Sequence, residues 1–263
     1  MEEASEGIEE LFFELASESR IAILRKLSQG SMKMQELGRT LDLTATETFR
    51  QLQRLCEASL LTKMVDGNYS LTSYGKAILF LCPSFEFLLK HKPYFLEHDI
   101  WQLPTEFIFR IGELGKGTLK SNVPENLNHV EEMIKGAEKY LWTLSSQILA
   151  AHSRIMIERC QKGLKFRSIH PRELIPSEVH VPEIDHCIER RYLAQLPGIL
   201  VVTEKEALVA LPFINGKQDY AAFFGSDPAF KKWVTDLHQH YWMQGESIHR
   251  GISSANKLEN SGH

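Results

Sequence analysis

The stretch from Thr44 to Leu71, TATETFRQLQRLCEASLLTKMVDGNYSL, restricts the possible folds of this chain more than any other. It opens with a helix signal. Thr44 and Glu47 stand three apart, the spacing at which a Thr hydroxyl and a Glu carboxylate cap each other's backbone N–H groups. Phe49, Leu52, Leu55 and Cys56 then recur at helical spacing and are expected to point inward, with Thr46, Arg50, Gln51 and Arg54 on the other side. Asp66-Gly67 between two short β-rich runs predicts a hairpin with a two-residue tip, because both residue types tolerate positive φ. A helix running directly into a hairpin is the layout of a winged helix-turn-helix.

The residues upstream agree. Residues 8–29 predict one or two helices, with Ile8, Leu11, Phe12 and Leu15 on one stripe and Ile21, Leu24 and Leu27 on the next. Ser17 or Ser19 is placed to cap a restart between them. Gly30-Ser31 breaks the pattern, and Met34, Leu37 and Leu41 form the stripe of a short second helix that turns through Asp42 into the third. Three helices joined by short turns, with a hairpin after the last, fit a winged fold over residues 1–80.

Residues 81–252 read as an α/β effector or dimerisation domain with a mixed sheet, which makes the whole chain α+β. Thr72–Phe87 predicts a helix interrupted at Pro83. The aromatic-rich stretch Pro93–Gly117 (Tyr94, Phe95, Trp101, Phe107, Phe109) is expected to pack between the two domains. Beyond Pro124 the pattern alternates: a helix through Leu127, Val130 and Ile134, a strand at Tyr140–Ser146, a helix at Gln147–Lys162, a strand at Leu164–His170 and a helix at Glu183–Ala194. Three strands follow, at Ile199–Thr203, Ala207–Leu211 and Tyr220–Gly225, and Asp227 can cap a last helix through Trp233, Leu237 and Trp242. The polar run 253–263 is expected to be a disordered tail.

Charge separates the two halves. The net charge of −4 exerts no global pull toward nucleic acid. Residues 1–16 hold six Glu and no Lys or Arg, whereas residues 17–80 hold nine Lys or Arg against six Asp or Glu, so the helix-rich module is +3. A weakly basic module suits a double-stranded DNA partner. The acidic N-terminus carries no signal peptide, and no apolar run approaches the ~20 residues of a membrane span, which predicts a cytoplasmic protein. The four cysteines (Cys56, Cys82, Cys160, Cys187) are scattered, which favours free thiols over disulfides or a structural zinc.

A helix in a major groove would present Thr46, Arg50, Gln51 and Arg54. Arg bonds guanine bidentately, Gln pairs with adenine, and Thr bonds phosphate or touches a thymine methyl. Thr44 begins this helix and Lys63 flanks the wing within reach of a phosphate, which completes the candidate set. The competing reading pairs Arg50 with Glu47 and Arg54 with Glu57 on a solvated helix.

Catalytic patterns are absent. Gly115-Lys116-Gly117-Thr118 has its Gly after the Lys, and Arg110 stands where the first Gly of a phosphate loop belongs; there is no G-x-S-x-G and no H-E-x-x-H. Glu178, His180, Glu183, Asp185, His186 and Cys187 form the densest group of potential metal ligands, at a spacing that matches no standard site. His238 and His240 are two apart on a helix and face different ways. Trp142, Tyr192, Phe213, Phe224, Trp233, Tyr241 and Trp242 read as core, and Arg110, Arg167 and Arg172 are the cations available to an anionic ligand. No cofactor or metal is implied.

The first 80 residues, especially RLCEASLLTKMVDGNYSLTSYGKAI, resemble the helix-wing-helix passage of ArsR-like winged-helix repressors. WQLPTEFIFRIGEL, the helix feeding YLWTLSS, and YAAFFGSDPAFKKWVTDLHQHYW resemble archaeal regulators with a "methanogenesis regulatory protein" middle domain. The second half also resembles, more distantly, the phospholipase-D-like domains of archaeal sugar-responsive regulators. That family's chemistry uses an H-x-K-x4-D motif; here His152-x-Arg154 and His170-x-Arg172 replace it, without the Asp. The resemblance therefore implies sensing or dimerisation rather than catalysis. Cys56 stands alone, without the Cys-rich box of metal-responsive ArsR-like proteins.

The sequence thus predicts a non-enzymatic, two-domain transcription regulator. It would form a homodimer, for which Ile8, Phe12 and Leu15 offer an interface stripe that reads more simply as core, and respond to a small-molecule effector or another protein. The rivals are a metabolite-acting enzyme fused to a winged module and a winged protein-interaction module.

Overall fold

The computed structural model describes residues 7–145, 153–173 and 186–247. The chain divides into two compact units, Met1–Phe85 and Glu86–His263.

In the first unit α1 (Ile8–Leu15), α2 (Glu18–Leu27), α3 (Met34–Leu41) and α4 (Ala45–Glu57) precede a hairpin of β2 (Leu61–Lys63) and β3 (Asn68–Leu71). The short β1 (Met32–Lys33) joins the hairpin edge, giving a three-stranded antiparallel sheet in the order β1-β3-β2. This is a winged helix-turn-helix. Ile23, Leu24, Leu37, Leu52, Leu55 and Leu60 are fully enclosed at its centre. Ser17 caps α2, and Thr44 caps α4 by accepting from Glu47 N at 3.2 Å. The Glu47 carboxylate accepts from Ser19 Oγ (3.2 Å) on α2, which ties the start of α4 to the preceding helix. Gly38 lets α3 and α4 close up, since a Cβ there would stand 2.9 Å from Thr48 Oγ1.

The hairpin differs from expectation in its turn. Met64 O accepts from Gly67 N and Met64 N donates to Asn68 O, and Gly67 carries the positive φ (81°) while Asp66 does not. Val65–Gly67 is therefore a three-residue loop of the kind in which a left-handed glycine ends a tight turn. Helix α5 (Ser73–Lys90) leaves the wing and continues through Pro83, which removes one N–H donor without ending the helix.

The second unit is built on a seven-stranded mixed sheet: β4 (Thr118–Lys120), β10 (Ala222–Gly225), β9 (Ala207–Ala210), β8 (Ile199–Thr203), β5 (Tyr140–Leu144), β6 (Lys165–Pro171) and β7 (Ile188–Leu193), in that spatial order. Among the described residues only the β5-β6 and β6-β7 pairs are parallel. Alternation along the strands assigns each face. Leu144, Ile169, Leu200, Val202, Val209 and Phe223 pack with Phe230, Trp233 and Leu237 of α10 (Pro228–Gln244) and with Tyr94 and Phe107 of α6 (Lys92–Glu97) and α7 (Thr105–Phe109). On the other face Leu141, Phe166, Val201, Leu208 and Phe224 meet Met133 and Ile134 of α8 (Val123–Gly136), with Ile155 and Met156 of α9 (Ser153–Gln161) beside them. The result is a three-layer α/β/α unit.

Four expectations change. Ile188–Leu193, read as part of a helix, is the edge strand β7; Ile188, Arg190 and Tyr192 also alternate with period two, and Tyr192 is buried. Residues 93–117 belong to the second unit's own core, through Tyr94, Phe107, Ile111 and Leu114, while Trp101 and Phe109 are exposed. Cys160 and Cys187 form a disulfide, with Cα atoms 6.0 Å apart, where free thiols were expected. The 26 residues between them contain β6, so the fold rather than sequence proximity brings the two cysteines together, and their scattered spacing hides the pair. The expected helix at Gln147–Lys162 is α9 from Ser153 onward; residues 147–152 and the expected tail 253–263 lie outside the described residues. Among the described residues no helix is long and apolar enough to cross a membrane.

Candidate functional site

Helix α4 buries Thr48, Gln51, Leu52 and Leu55. Thr48 Oγ1 satisfies itself on Thr44 O at 2.8 Å. Gln51 Oε1 accepts from Arg20 Nη1 at 3.1 Å inside the unit. This corrects the expected outward face: Gln51 sits in the core, and Phe49, expected inward, has 55% of its surface open. The exposed residues of α4 are Ala45, Thr46, Phe49, Arg50, Gln53 and Glu57, with Thr44 exposed at its cap. Thr46, Phe49, Arg50 and Gln53 follow the i, i+3, i+4, i+7 spacing of one helix face.

The two arginines of this helix have different surroundings. Arg54 is held by the Glu14 carboxylate of α1 through its Nη2 and, at 3.3 Å, its Nε. Its guanidinium also lies 5.0 Å from the Phe13 ring centre. The Glu14 hydrogen bond raises the Arg54 pKa. The same carboxylate reaches Arg20 Nε at 3.1 Å, and Arg20 further donates to the Glu14 and Phe13 carbonyls, both at 2.6 Å. Burial pulls the Arg20 guanidinium below its ordinary range, against the attraction of Glu14. Arg50 is exposed and carries no ion pair among the described residues, and its expected partner Glu47 is engaged by Ser19. Neither of the surface pairs expected for a solvated helix forms: Arg54 turns to Glu14, and Glu57 takes Gln53 Nε2 at 2.9 Å.

At the wing, Lys63 is exposed with its ammonium 5.8 Å from the Tyr69 ring centre. Met64 and Val65 at the tip are open to solvent as well. The first unit therefore offers a free guanidinium, two hydrogen-bonding side chains and one aromatic ring on one helix face, with a lysine on the wing.

The second unit holds a buried polar chain on the α8/α9 face of the parallel strands. Thr143 and Ser168 hydroxyls are 2.9 Å apart, Ser168 Oγ donates to His170 Nε2 at 2.7 Å, and His170 Nδ1 donates to Ser145 O at 3.3 Å. Burial holds His170 neutral, its pKa lowered to about 4. On the opposite face His238, bonded to Thr143 O at 3.2 Å, is likewise lowered to about 4 by burial. His240, two residues on, is half-exposed against Glu106 and Gln244, so the two histidines do face apart.

The three candidate anion-binding arginines are each met by a carboxylate. Arg110 grips Glu113 at 2.8 and 2.9 Å and Asp236 at 2.8 Å, Arg167 reaches Glu189 at 3.3 Å, and Arg172 pairs with Glu246. Gly117 of the Gly-Lys-Gly-Thr stretch is a packing residue: a Cβ there would stand 2.4 Å from the Phe230 ring. Of the expected acidic-histidine group, Glu178, His180, Glu183 and Asp185 lie outside the described residues, and the Cys187 sulfur is bonded to Cys160.

No family model matches the chain, and no curated protein matches it. Solved structures do. TrmBL2, an archaeal chromatin protein with a novel mode of DNA binding, aligns at 14% identity and TM-score 0.44 over 86% of this chain and 92% of its own. NucT from Helicobacter pylori aligns at 13% identity and TM-score 0.38 over 51% of this chain and 99% of its own. Nuc from Salmonella typhimurium, a phospholipase D family member, aligns at 11% identity and TM-score 0.38 over 50% of this chain and 98% of its own. Likeness at this level assigns neither a family nor an activity to the chain.

Sequence reasoning missed Phe49 and Gln53 as outward residues and missed the Glu14–Arg20–Gln51 network. Their signal is long-range: Gln51 is buried because Arg20, 31 positions earlier, supplies its hydrogen bond.

Proposed function

We propose that this chain is a DNA-binding transcription regulator whose first unit reads the major groove of duplex DNA with the outward face of α4. The observation that carries this reading is Arg50. It is a cation on an exposed helix face between Thr46 and Gln53, without a carboxylate partner among the described residues, in a helix that follows α3 and precedes a wing. Arg, Thr and Gln are the side chains that hydrogen-bond base edges and phosphates. Thr44 brings the helix N-terminus, with its unsatisfied N–H groups, to the same end as Thr46 and suits it to a phosphate. Lys63 serves as a backbone contact from the wing. Arg54 supports α4 rather than reading bases.

The protein acts as a homodimer. Ile8 and Phe12 of α1 and Phe80 and Phe85 of α5 are largely exposed, and Phe12 meets Phe85 edge to face at 6.5 Å between ring centres, which leaves an apolar surface for a second copy. A twofold protein matches a twofold operator.

The second unit senses an effector and does not catalyse. Its Ser168–His170 pair resembles a nucleophile and base, but the two residues are 2% and 6% exposed and their hydrogen bonds end on Thr143 and the Ser145 carbonyl. These features suit an ArsR-like gene switch of archaeal type; the Cys160–Cys187 disulfide, of a kind rare in a reducing cytoplasm, counts against the cytoplasmic location expected with free thiols.

The test is binding of the full-length protein to a pool of random-sequence duplexes at fixed salt, followed by a salt series on the selected sequence. Affinity should fall with a log–log slope of roughly 0.9 per phosphate contacted. No enrichment of any sequence and no binding at low salt would overturn the proposal.

A further inference from the structure

Phe49 stands apart from the rest of the outward face. Among the described residues of α4 it is the single large apolar side chain left exposed, with 55% of its surface open. Thr46 lies one turn before it, Arg50 beside it and Gln53 one turn after, all exposed. A single exposed ring on this helix, framed by three hydrogen-bonding side chains, lacks the contiguous apolar patch of a few hundred Å² that marks many protein interfaces. It suits a major groove. There, the apolar feature that distinguishes one base pair from the others is the thymine C5-methyl group, which Ala, Thr and Phe side chains contact.

We propose that Phe49 is a specificity-determining residue whose ring packs on the C5-methyl group of a thymine, while Arg50 takes the hydrogen-bonding groups around it, joined by Gln53 when its amide exchanges Glu57 for a base edge. The inference rests on α4 reading duplex DNA. It adds a base identity: the bound sequence must carry a thymine at the position that faces Phe49. The gain comes from removing one methyl group and part of one ring from water, so it is modest and sequence-selective rather than a general contribution to affinity.

The experiment uses the wild-type protein and a duplex selected from synthetic, unmethylated random DNA, in which thymine is the only base with a C5-methyl group. Each thymine is replaced in turn by deoxyuridine, which keeps every hydrogen-bonding group and removes the methyl alone. At one position per half-site, or at two adjacent ones, affinity should fall by about three- to tenfold. Phe49→Ala, which removes the contact in both half-sites of the dimer, should bind the unmodified duplex about ten- to hundredfold more weakly and lose its response to deoxyuridine at that position, and Phe49→Leu should retain part of both. Wild-type protein that binds every deoxyuridine duplex as tightly as the parent overturns the assignment of Phe49 while leaving DNA binding intact. So does a Phe49→Ala variant that keeps the same deoxyuridine response. Failure to bind any duplex overturns both this inference and the DNA-binding reading beneath it.

Discussion

Glu14 on α1 and Arg54 on α4 are joined by a salt bridge across 40 residues of sequence, and Glu14 also holds Arg20 of α2 at 3.1 Å. One carboxylate thus ties two cations, from two helices, to the end of a third. Glu14→Gln keeps the shape and removes the charge. The Glu14 and Arg20 side chains are 12% and 9% exposed and Arg54 is 38% exposed, so the cost lies below the ~3–5 kcal/mol of breaking a fully buried pair. A lower stability is expected in the first unit, carried mainly by the enclosed Glu14–Arg20 contact because the Arg54 end is open to solvent. All four tryptophans (Trp101, Trp142, Trp233, Trp242) lie in the second unit, so the loss should appear in the far-ultraviolet dichroism transition and not in tryptophan fluorescence.

Gln51→Ala separates structure from reading. It leaves the buried Arg20 Nη1 without its acceptor, and an unsatisfied buried donor costs about 1–3 kcal/mol. The variant should melt earlier but bind DNA with unchanged affinity well below its melting temperature. Weakened binding at that temperature, with the fold intact, would return Gln51 to the reading face.

Among the described residues four histidines are buried in the second unit, and two of them, His170 and His238, are placed to make it sensitive to acid. His170 and His238 titrate near 4 in the fold and near 6.5 when unfolded, because burial penalises the imidazolium. Between those values the unfolded chain binds more protons. Their contribution is therefore complete above pH 6.5 and is lost as pH falls toward 4, at up to about 1.4 kcal/mol per pH unit for each. Urea unfolding followed by tryptophan fluorescence at pH 7 and pH 5, where most carboxylates stay ionised, should show the decline, and His170→Gln should reduce it. A midpoint independent of pH across that interval would contradict the assigned burial.

The Cys160–Cys187 disulfide closes a loop across a sequence separation of 27. Constraining the unfolded chain over such a loop stabilises by about 2–4 kcal/mol. Reduction should lower the unfolding free energy of the second unit, read from fluorescence-detected urea curves, by that amount and leave the first unit's transition where it was; Cys160→Ala should reproduce the effect without reductant.

Local signals were legible wherever the cause was local. Strand β8 at Ile199–Thr203 and helix α3 at Met34–Leu41 follow directly from their side-chain patterns, and Thr44 and Asp227 cap the helices that their positions predict. The reading face of α4 was only partly legible, because hydrophobicity cannot see a polar residue drawn inward. Thr48 is buried by bonding its own helix and Gln51 by bonding Arg20, and their burial rotates the helix so that Phe49 turns outward. Strand β7 was misread for a similar reason: Ile188 and Tyr192, four apart, satisfy a helical period as well as a two-residue one, and pairing with β6 decides between them.

The central claim is that the exposed face of α4, with Arg50 at its middle, meets duplex DNA. The most direct measurement compares wild-type and Arg50→Ala protein on the selected duplex in a gel shift at one salt concentration. The expected loss is about 1–3 kcal/mol per half-site, hence about 2–6 kcal/mol for the dimer, at least roughly thirtyfold in affinity, with thermal stability within about 0.5 kcal/mol of wild type. Equal affinity of the two proteins for that duplex would contradict the account.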